Sequence, residues 1–450
     1  MTKQKEKKKA SIVKKMMIAV VAGFVVGFIC LLIKSAVMGT DGEGAWKVVE
    51  AILFQDITAT KDIEGLGLFY IVGLQMMIVP LVLCSLTLAL CSLANPKKLG
   101  RIAGKTFVSY LCFYIVAAAL AGAAAYLAKS LGWFTVNLPA QQAQDIVTME
   151  GYNPLVTIVN AVPSNMINAM SSNNTILCVV VIAIIFGLCM TKMGEKADPL
   201  KKVFENINDI VQMFLNFLIN KIAPIAIFCM IVRALAVYGI EYISPTMMWI
   251  VVTIVVSLLL VCTIYPIGIF ITTGLNPFIF LKKAAKIGMF AAATNSSAAT
   301  LPLNKETCIN ELGCSEEISS FVLPTGMTIN MNGTTAMHMI AITFIATAAG
   351  VNITPATLCL TAFLSICTAV GTPAIPVAGT TMVYVVMMGL GLNTDLCMIG
   401  YSLILAMNYL PGMAVITLNV IGDAATNVIV CAKEHCLNKE IYNSKTPKNN

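Results

Sequence analysis

Thr294-Asn295-Ser296-Ser297-Ala298-Ala299-Thr300-Leu301-Pro302 and Gly371-Thr372-Pro373-Ala374-Ile375-Pro376 are two short, Pro-bearing polar stretches set in apolar sequence. Each splits its apolar surroundings into halves shorter than the ~20 residues a helix needs to cross a bilayer. They read as the tips of two re-entrant helical hairpins. A longer helix with a polar break follows each tip: Gly326-Met327-Thr328-Ile329-Asn330-Met331-Asn332-Gly333-Thr334 after the first, and Asn419-Val420-Ile421-Gly422-Asp423 after the second. Hairpin, broken helix, hairpin, broken helix is an internal repeat. Non-helical backbone at membrane depth survives only where it lines a protein or water cavity. Paired interrupted segments in two halves point to a transporter's binding site near the midplane.

The rest of the chain agrees. Of its 450 residues, 58% are hydrophobic and 11% charged, against about 25% charged in soluble domains. That excludes a soluble enzyme, a disordered protein and a nucleic-acid binder. A β-barrel is excluded too, because its strands alternate apolar and polar residues. The fold class is an all-α polytopic membrane protein. No nucleophile–base pair, metal cluster or ATP-binding loop is visible, so the chain is not an enzyme or a primary pump. The first apolar run, Met16 to Ile33, is too long for a signal-peptide core and lacks a cleavage site, so it reads as a retained helix.

Helices are expected at about Val13–Lys34, Gly67–Leu93, Ile102–Lys129, Leu155–Met193 (interrupted near Pro163 and Ser171–Thr175), Leu200–Tyr238 and Pro245–Thr273. The net charge of +7 is gathered at Lys3–Lys9, at Lys97, Lys98 and Arg101, at Lys192–Lys202, at Lys282–Lys286 and at the C-terminus. Lys and Arg favour the cytoplasmic side. These clusters therefore put both termini in the cytoplasm, with the acidic loop from Asp41 to Glu64 outside. Between Ile318 and Ala432 the only Asp, Glu, Lys, Arg or His residues are His338, Asp395 and Asp423. Asp395 suits a helix N-terminus; the other two are left in the membrane. A carboxylate at that depth costs on the order of 3 kcal/mol even on the lenient scale, so Asp423 needs a cation or a proton.

With Ser296-Ser297…Thr300-Leu301-Pro302, Asn330-Met331-Asn332-Gly333-Thr334, Gly371-Thr372…Pro376 and Asn419…Gly422-Asp423, the chain resembles the dicarboxylate/amino acid:cation symporters, the family of the glutamate transporters. The resemblance runs from helix one to Lys433. It implies eight transmembrane helices plus two re-entrant hairpins, inverted repeats and an elevator fold. It also implies a homotrimer in the lipid bilayer of the plasma (inner) membrane. Residues 1–12 would be a cytoplasmic tail. Helices one and two (13–101) and four and five (150–240) would form a scaffold. Helix three (102–130) and residues 241–434, holding helix six, both hairpins and helices seven and eight, would form a transport domain. Residues 435–450 would be a second cytoplasmic tail.

The resemblance also assigns residues. One Na⁺ would lie among Gly326, Asn330, Asn419 and Asp423, and a second against Thr328, Met331, Ala369, Val370 and Thr372. A third family site needs an Asp where Asn332 stands, and small hydroxyls where helix three has Phe113 and Tyr114. That site should be lost, leaving one or two coupled Na⁺. The substrate would meet Ser296, Ser297, Thr334, Ala374, Ile375, Gly412, Val415, Ile416 and Asn419. Acidic-substrate members hold a side-chain carboxylate with an Arg, the usual bidentate partner; here those positions are Val415 and Asn295. The Asp that holds an amino group elsewhere is Gly412. Hairpin N–H groups can still take one carboxylate, in a pocket expected to be apolar and roomy, walled by Met413, Val415 and Ile416. His338 stands where proton-coupled members have a Glu. The expected function is Na⁺-coupled symport of a small carboxylate-bearing solute, a neutral amino acid or a dicarboxylate. The alternative is a proton-coupled symporter using His338 and Asp423.

Overall fold

The computed structural model describes residues 15–16, 18–33, 65–91, 99–136, 162–238, 243–370, 372 and 377–444. The tip residues Gly371, Pro373, Ala374, Ile375 and Pro376, the acidic loop and the far termini lie outside them. Among the described residues the regular structure is helical throughout.

Helix α1 spans Ile18–Ile33. α2 (Gly65–Met76) and α3 (Ile78–Cys91) form one rod interrupted at Met77, because Pro80 has no N–H to give the carbonyl of Met76. α4 (Leu99–Ser130) buries a stripe of small residues, Ala117, Ala121, Ala125 and Ala128, which permits close helix contact. A short α5 (Met166–Ala169) is capped by the Asn165 side chain, which accepts from two backbone N–H groups. α6 covers Ile176–Met193. α7 (Asp198–Phe217) runs through a π turn at Leu218–Ile222 into α8 (Ala223–Tyr238). Pro224 again removes the donor that would keep the ladder regular. α9 covers Ile243–Thr273.

The first hairpin is α10 (Pro277–Thr294) and α11 (Ser297–Asn310). At 1.5 Å per residue these arms are about 27 and 21 Å long, short of the ~30 Å bilayer core. Asn295 turns the tip in a left-handed conformation (φ 46°), and extended Ser296 caps α11 by accepting from the N–H of Ala299. α12 (Glu316–Ile329) and α13 (Asn332–Ala348) follow, parted at Asn330 and Met331. The second hairpin has arms α14 (Pro355–Val370) and α15 (Ala378–Gly389), then α16 (Asp395–Met407) and α17 (Tyr409–Lys433). Two short-armed helix pairs are therefore each followed by an interrupted helix, at Asn330–Met331 and at Asn408. Five described stretches are long and apolar enough to cross a membrane: 69–91, 101–130, 178–232, 243–273 and 409–433.

The break expected at Asn419–Asp423 is absent: α17 is continuous across it. The interruption comes at Asn408 instead, because Pro411 lacks the N–H that Met407's carbonyl needs. The polar side chains of α17 leave their own helix intact and bond to other elements, Asn419 to α13, Asp423 to Asn330 and Asn427 to α12.

α13 and α17 form the buried centre. α4 and α16 pack on α13, α10, α11 and α12 on α17, and α9 on both. α2 packs with α8 and α3 with α6, and α8 also packs on α16. After α17 the chain turns back as α18 (Lys439–Asn443). Buried Tyr442 donates to the carbonyl of Asn276 at 2.9 Å, and Lys283 donates to the carbonyls of Glu311, Ile441 and Tyr442. Residues 434–444 thus strap the base of the first hairpin.

Candidate functional site

Parting α12 from α13 strands backbone groups, and named side chains take them up. The Tyr114 hydroxyl donates to the carbonyl of Ile329 and accepts from the N–H of Met331 at 2.7 Å. The N–H of Gly333 donates to Asn419 Oδ1 at 2.7 Å. Tyr110 donates to the carbonyl of Val322 at 2.9 Å. Tyr265 donates to the carbonyl of Leu418 at 2.9 Å and accepts from Asn332 Nδ2 at 3.1 Å. Three tyrosines from α4 and α9 therefore brace the break. Tyr114, expected only as an obstruction in the third ion site, is one of its supports.

Asp423 is 3% exposed. Its Oδ1 accepts from Asn330 Nδ2 at 2.8 Å, and the same Nδ2 reaches the carbonyl of Asn419 at 3.3 Å. Asn330 Oδ1 is buried without a partner among the described residues. A Cβ on Gly326 would collide with Asp423 Oδ1 and the Tyr110 hydroxyl, so only glycine lets α12 come this close. Gly326, Asn330, Asn419 and Asp423 thus lie together. A carboxylate, an orphaned amide oxygen and carbonyls are the donor set of a hard cation, so these residues fit Na⁺.

The second expected ion group is less tightly drawn together. Buried Ala369 accepts from the N–H of Thr372 at 3.0 Å, and Thr372 Oγ1 donates to the carbonyl of Thr368 at 3.0 Å. Thr328 is exposed, with Oγ1 donating to the carbonyl of Thr325. Val370 ends α14, and α12 packs on α14.

Beside the break lies a cavity of about 40 Å³. Ser297, Thr334, Gly412, Val415, Ile416 and Asn419 line it as expected, with Met331 and Thr372 from the second ion group. Ser296 is buried at the α11 cap behind it, and Ala374 and Ile375 are outside the described residues. Met413 is not on the cavity wall, and Asn, Ser and Thr side chains share the lining with Met, Val and Ile side chains. Asn408, Thr380, Met337, Val377 and Gly379 were not legible in the sequence. Asn408 is in the cavity because Pro411 interrupts the helix there. Val377 opens α15 with φ 68°, a strained conformation for a β-branched residue. Both hairpins thus bring a left-handed non-glycine residue, Asn295 or Val377, to the cavity.

His338, fully buried on α13, donates from Nε2 to the carbonyl of Gly379 at 2.8 Å. Its Nδ1 has no partner among the described residues. The imidazole therefore joins α13 to the first turn of α15.

Residues 12–433 match the sodium:dicarboxylate symporter family. The chain belongs to that family. Among its relatives is a proton/sodium-glutamate symport protein of Bacillus caldotenax, 24% identical over 87% of this chain and 93% of the relative. The human excitatory amino acid transporter 2 is 27% identical over 78% of this chain and 70% of its own. A C4-dicarboxylate transport protein of Cupriavidus pinatubonensis is 25% identical over 84% and 86%. As a sodium:dicarboxylate symporter family member, the chain is an integral membrane transporter of small molecules and not an enzyme.

Proposed function

We propose that this chain imports a small carboxylate-bearing solute by Na⁺-coupled symport, in the elevator manner. α4 and residues 241–434 would be the moving transport domain, and α1–α3 with α6–α8 the scaffold of a homotrimer. One observation carries the reading. Asp423 is a buried carboxylate whose neighbouring amide oxygen, Asn330 Oδ1, is unpaired among the described residues. A cation among Gly326, Asn330, Asn419 and Asp423 offsets the charge and satisfies the oxygen. The relatives named for glutamate and C4-dicarboxylate transport support a substrate with a carboxylate. The N-terminus of α11, with Ser297 on the cavity wall, suits that anion. One or two Na⁺ per cycle fit this chain, since Asn332 lacks a carboxylate and the Tyr114 hydroxyl is engaged at the break. Purified protein in proteoliposomes should accumulate neutral amino acids or simple carboxylates when Na⁺ is high outside. Accumulation driven equally by a proton gradient without Na⁺ would overturn this.

A proton-coupled cycle is the second reading, favoured by His338. Its Nδ1, without a partner among the described residues, and its bond to the second hairpin let an imidazole proton report to the gate over the cavity.

A further inference from the structure

We propose that Asn408 is a specificity-determining residue, selecting a solute that carries a neutral hydrogen-bonding group, a hydroxyl or an amide, beside its carboxylate. The inference rests on the symport reading of the same cavity and names the substrate class within it.

Among the described residues, no charged side chain lines the cavity. Three of its wall residues instead hold polar atoms that are buried and unpaired among the described residues: Asn408 Oδ1, Ser297 Oγ and Thr380 Oγ1. The residues are 5%, 3% and 0% exposed. Buried polar groups are nearly always paired, and an unmade hydrogen bond costs about 1–3 kcal/mol. Three such atoms around one cavity mark partners that a ligand supplies.

The amides are grouped. A Cβ on Gly412 would stand 3.4 Å from Asn408 Nδ2 and 3.6 Å from Asn295 Nδ2. The glycine opens the space, and two carboxamides border it. Asn408 is held at the interruption that Pro411 imposes, and Asn295 in the left-handed turn of the first hairpin.

Charge and size then choose the ligand. A second carboxylate here would meet amides and no cation, and burying it costs several kcal/mol. An alkyl group would leave Asn408 Oδ1 unpaired. A hydroxyl donates to Asn408 Oδ1 and accepts from an amide N–H. A site built to pair a substrate hydroxyl rejects the analogue lacking it far better than an apolar site rejects an added one. A space of about 40 Å³ suits a short substituent.

The test is Na⁺-driven uptake into proteoliposomes of two probe pairs, serine with alanine and glycerate with lactate, which differ by one hydroxyl. The hydroxyl member of the transported pair should be favoured at least about tenfold, the 1.4 kcal/mol equivalent of one lost hydrogen bond. In Asn408→Leu the ratio should fall to within about threefold, with a cooperative thermal unfolding transition of the purified protein as the sign of a folded carrier. If that variant does not fold, the wild-type ratio still decides. Alanine or lactate matching its partner in the wild type overturns the inference and leaves symport standing. An Asn408→Leu carrier that keeps the tenfold ratio overturns it as well. Absence of Na⁺-driven uptake of all four probes overturns the inference, while the symport reading falls only if no carboxylate-bearing solute is accumulated on Na⁺.

Discussion

Gly326 sets how close α12 comes to Asp423, and with that the size of the oxygen cage. In Gly326→Ala the new methyl group meets Asp423 Oδ1 and the Tyr110 hydroxyl, so the helices must part. Na⁺ affinity, read from the Na⁺ dependence of uptake, should fall at least about tenfold, or 1.4 kcal/mol. Unchanged affinity would mean that the cation lies elsewhere. His338 makes a separate claim. If His338 carries a proton in the cycle, uptake depends on pH. His338→Gln keeps a donor for the carbonyl of Gly379 and removes the titration. The profile should then flatten while Na⁺ binding persists. A profile identical to the wild type would leave His338 as a tie between α13 and α15, and the cycle purely Na⁺-coupled.

The broken helix α12–α13 depends on a neighbour that lends it a hydroxyl. Tyr114→Phe leaves the carbonyl of Ile329 and the N–H of Met331 with only their 3.2 Å bond to each other. Unmade buried bonds of this kind cost about 1–3 kcal/mol, so the unfolding midpoint in detergent should drop by several degrees. An unchanged midpoint would contradict the bracing role. The first break was legible in the sequence because Asn330, Asn332 and Gly333 interrupt an apolar run, and the first hairpin because Asn295 and Ser296 supply a turn and a cap. The second break was misread at Asn419–Asp423. Polar side chains in a helix do not break it when they bond to another element, as Asn419 does to Gly333. The true signal was Pro411, which acts four residues back, at Met407. Asn408 and Thr380 went unseen for a related reason. In the sequence they are isolated polar residues in apolar helices, and only the packing of α15 and α17 around one space gives them a common role.

On the scale of the whole molecule, Glu434 fastens the end of α17 to the start of α4, pairing with Arg101 and with Lys105 at 2.7 Å. The bonds from Arg101, then Lys105, hold its carboxyl down at about pKa 2, against an ordinary value of 4.5. A depressed carboxylate stabilises the fold fully above its ordinary value, and that contribution is lost as pH falls toward about 2. Glu434→Gln should lower the unfolding midpoint at pH 7, and the difference from wild type should shrink below about pH 4. A gap that stays constant with pH would exclude the ion pairs as its source. The account as a whole stands on Na⁺ at Asp423, and thermal unfolding of the detergent-purified protein across a Na⁺ series, with K⁺ as the control, tests it without knowledge of the substrate. A ligand bound only by the folded state raises the midpoint as its concentration passes Kd. The wild type should be stabilised progressively by Na⁺ and not by K⁺, while Asp423→Asn shows no Na⁺-specific shift. A wild type indifferent to Na⁺, or an Asp423→Asn protein that keeps the full shift, would contradict the account.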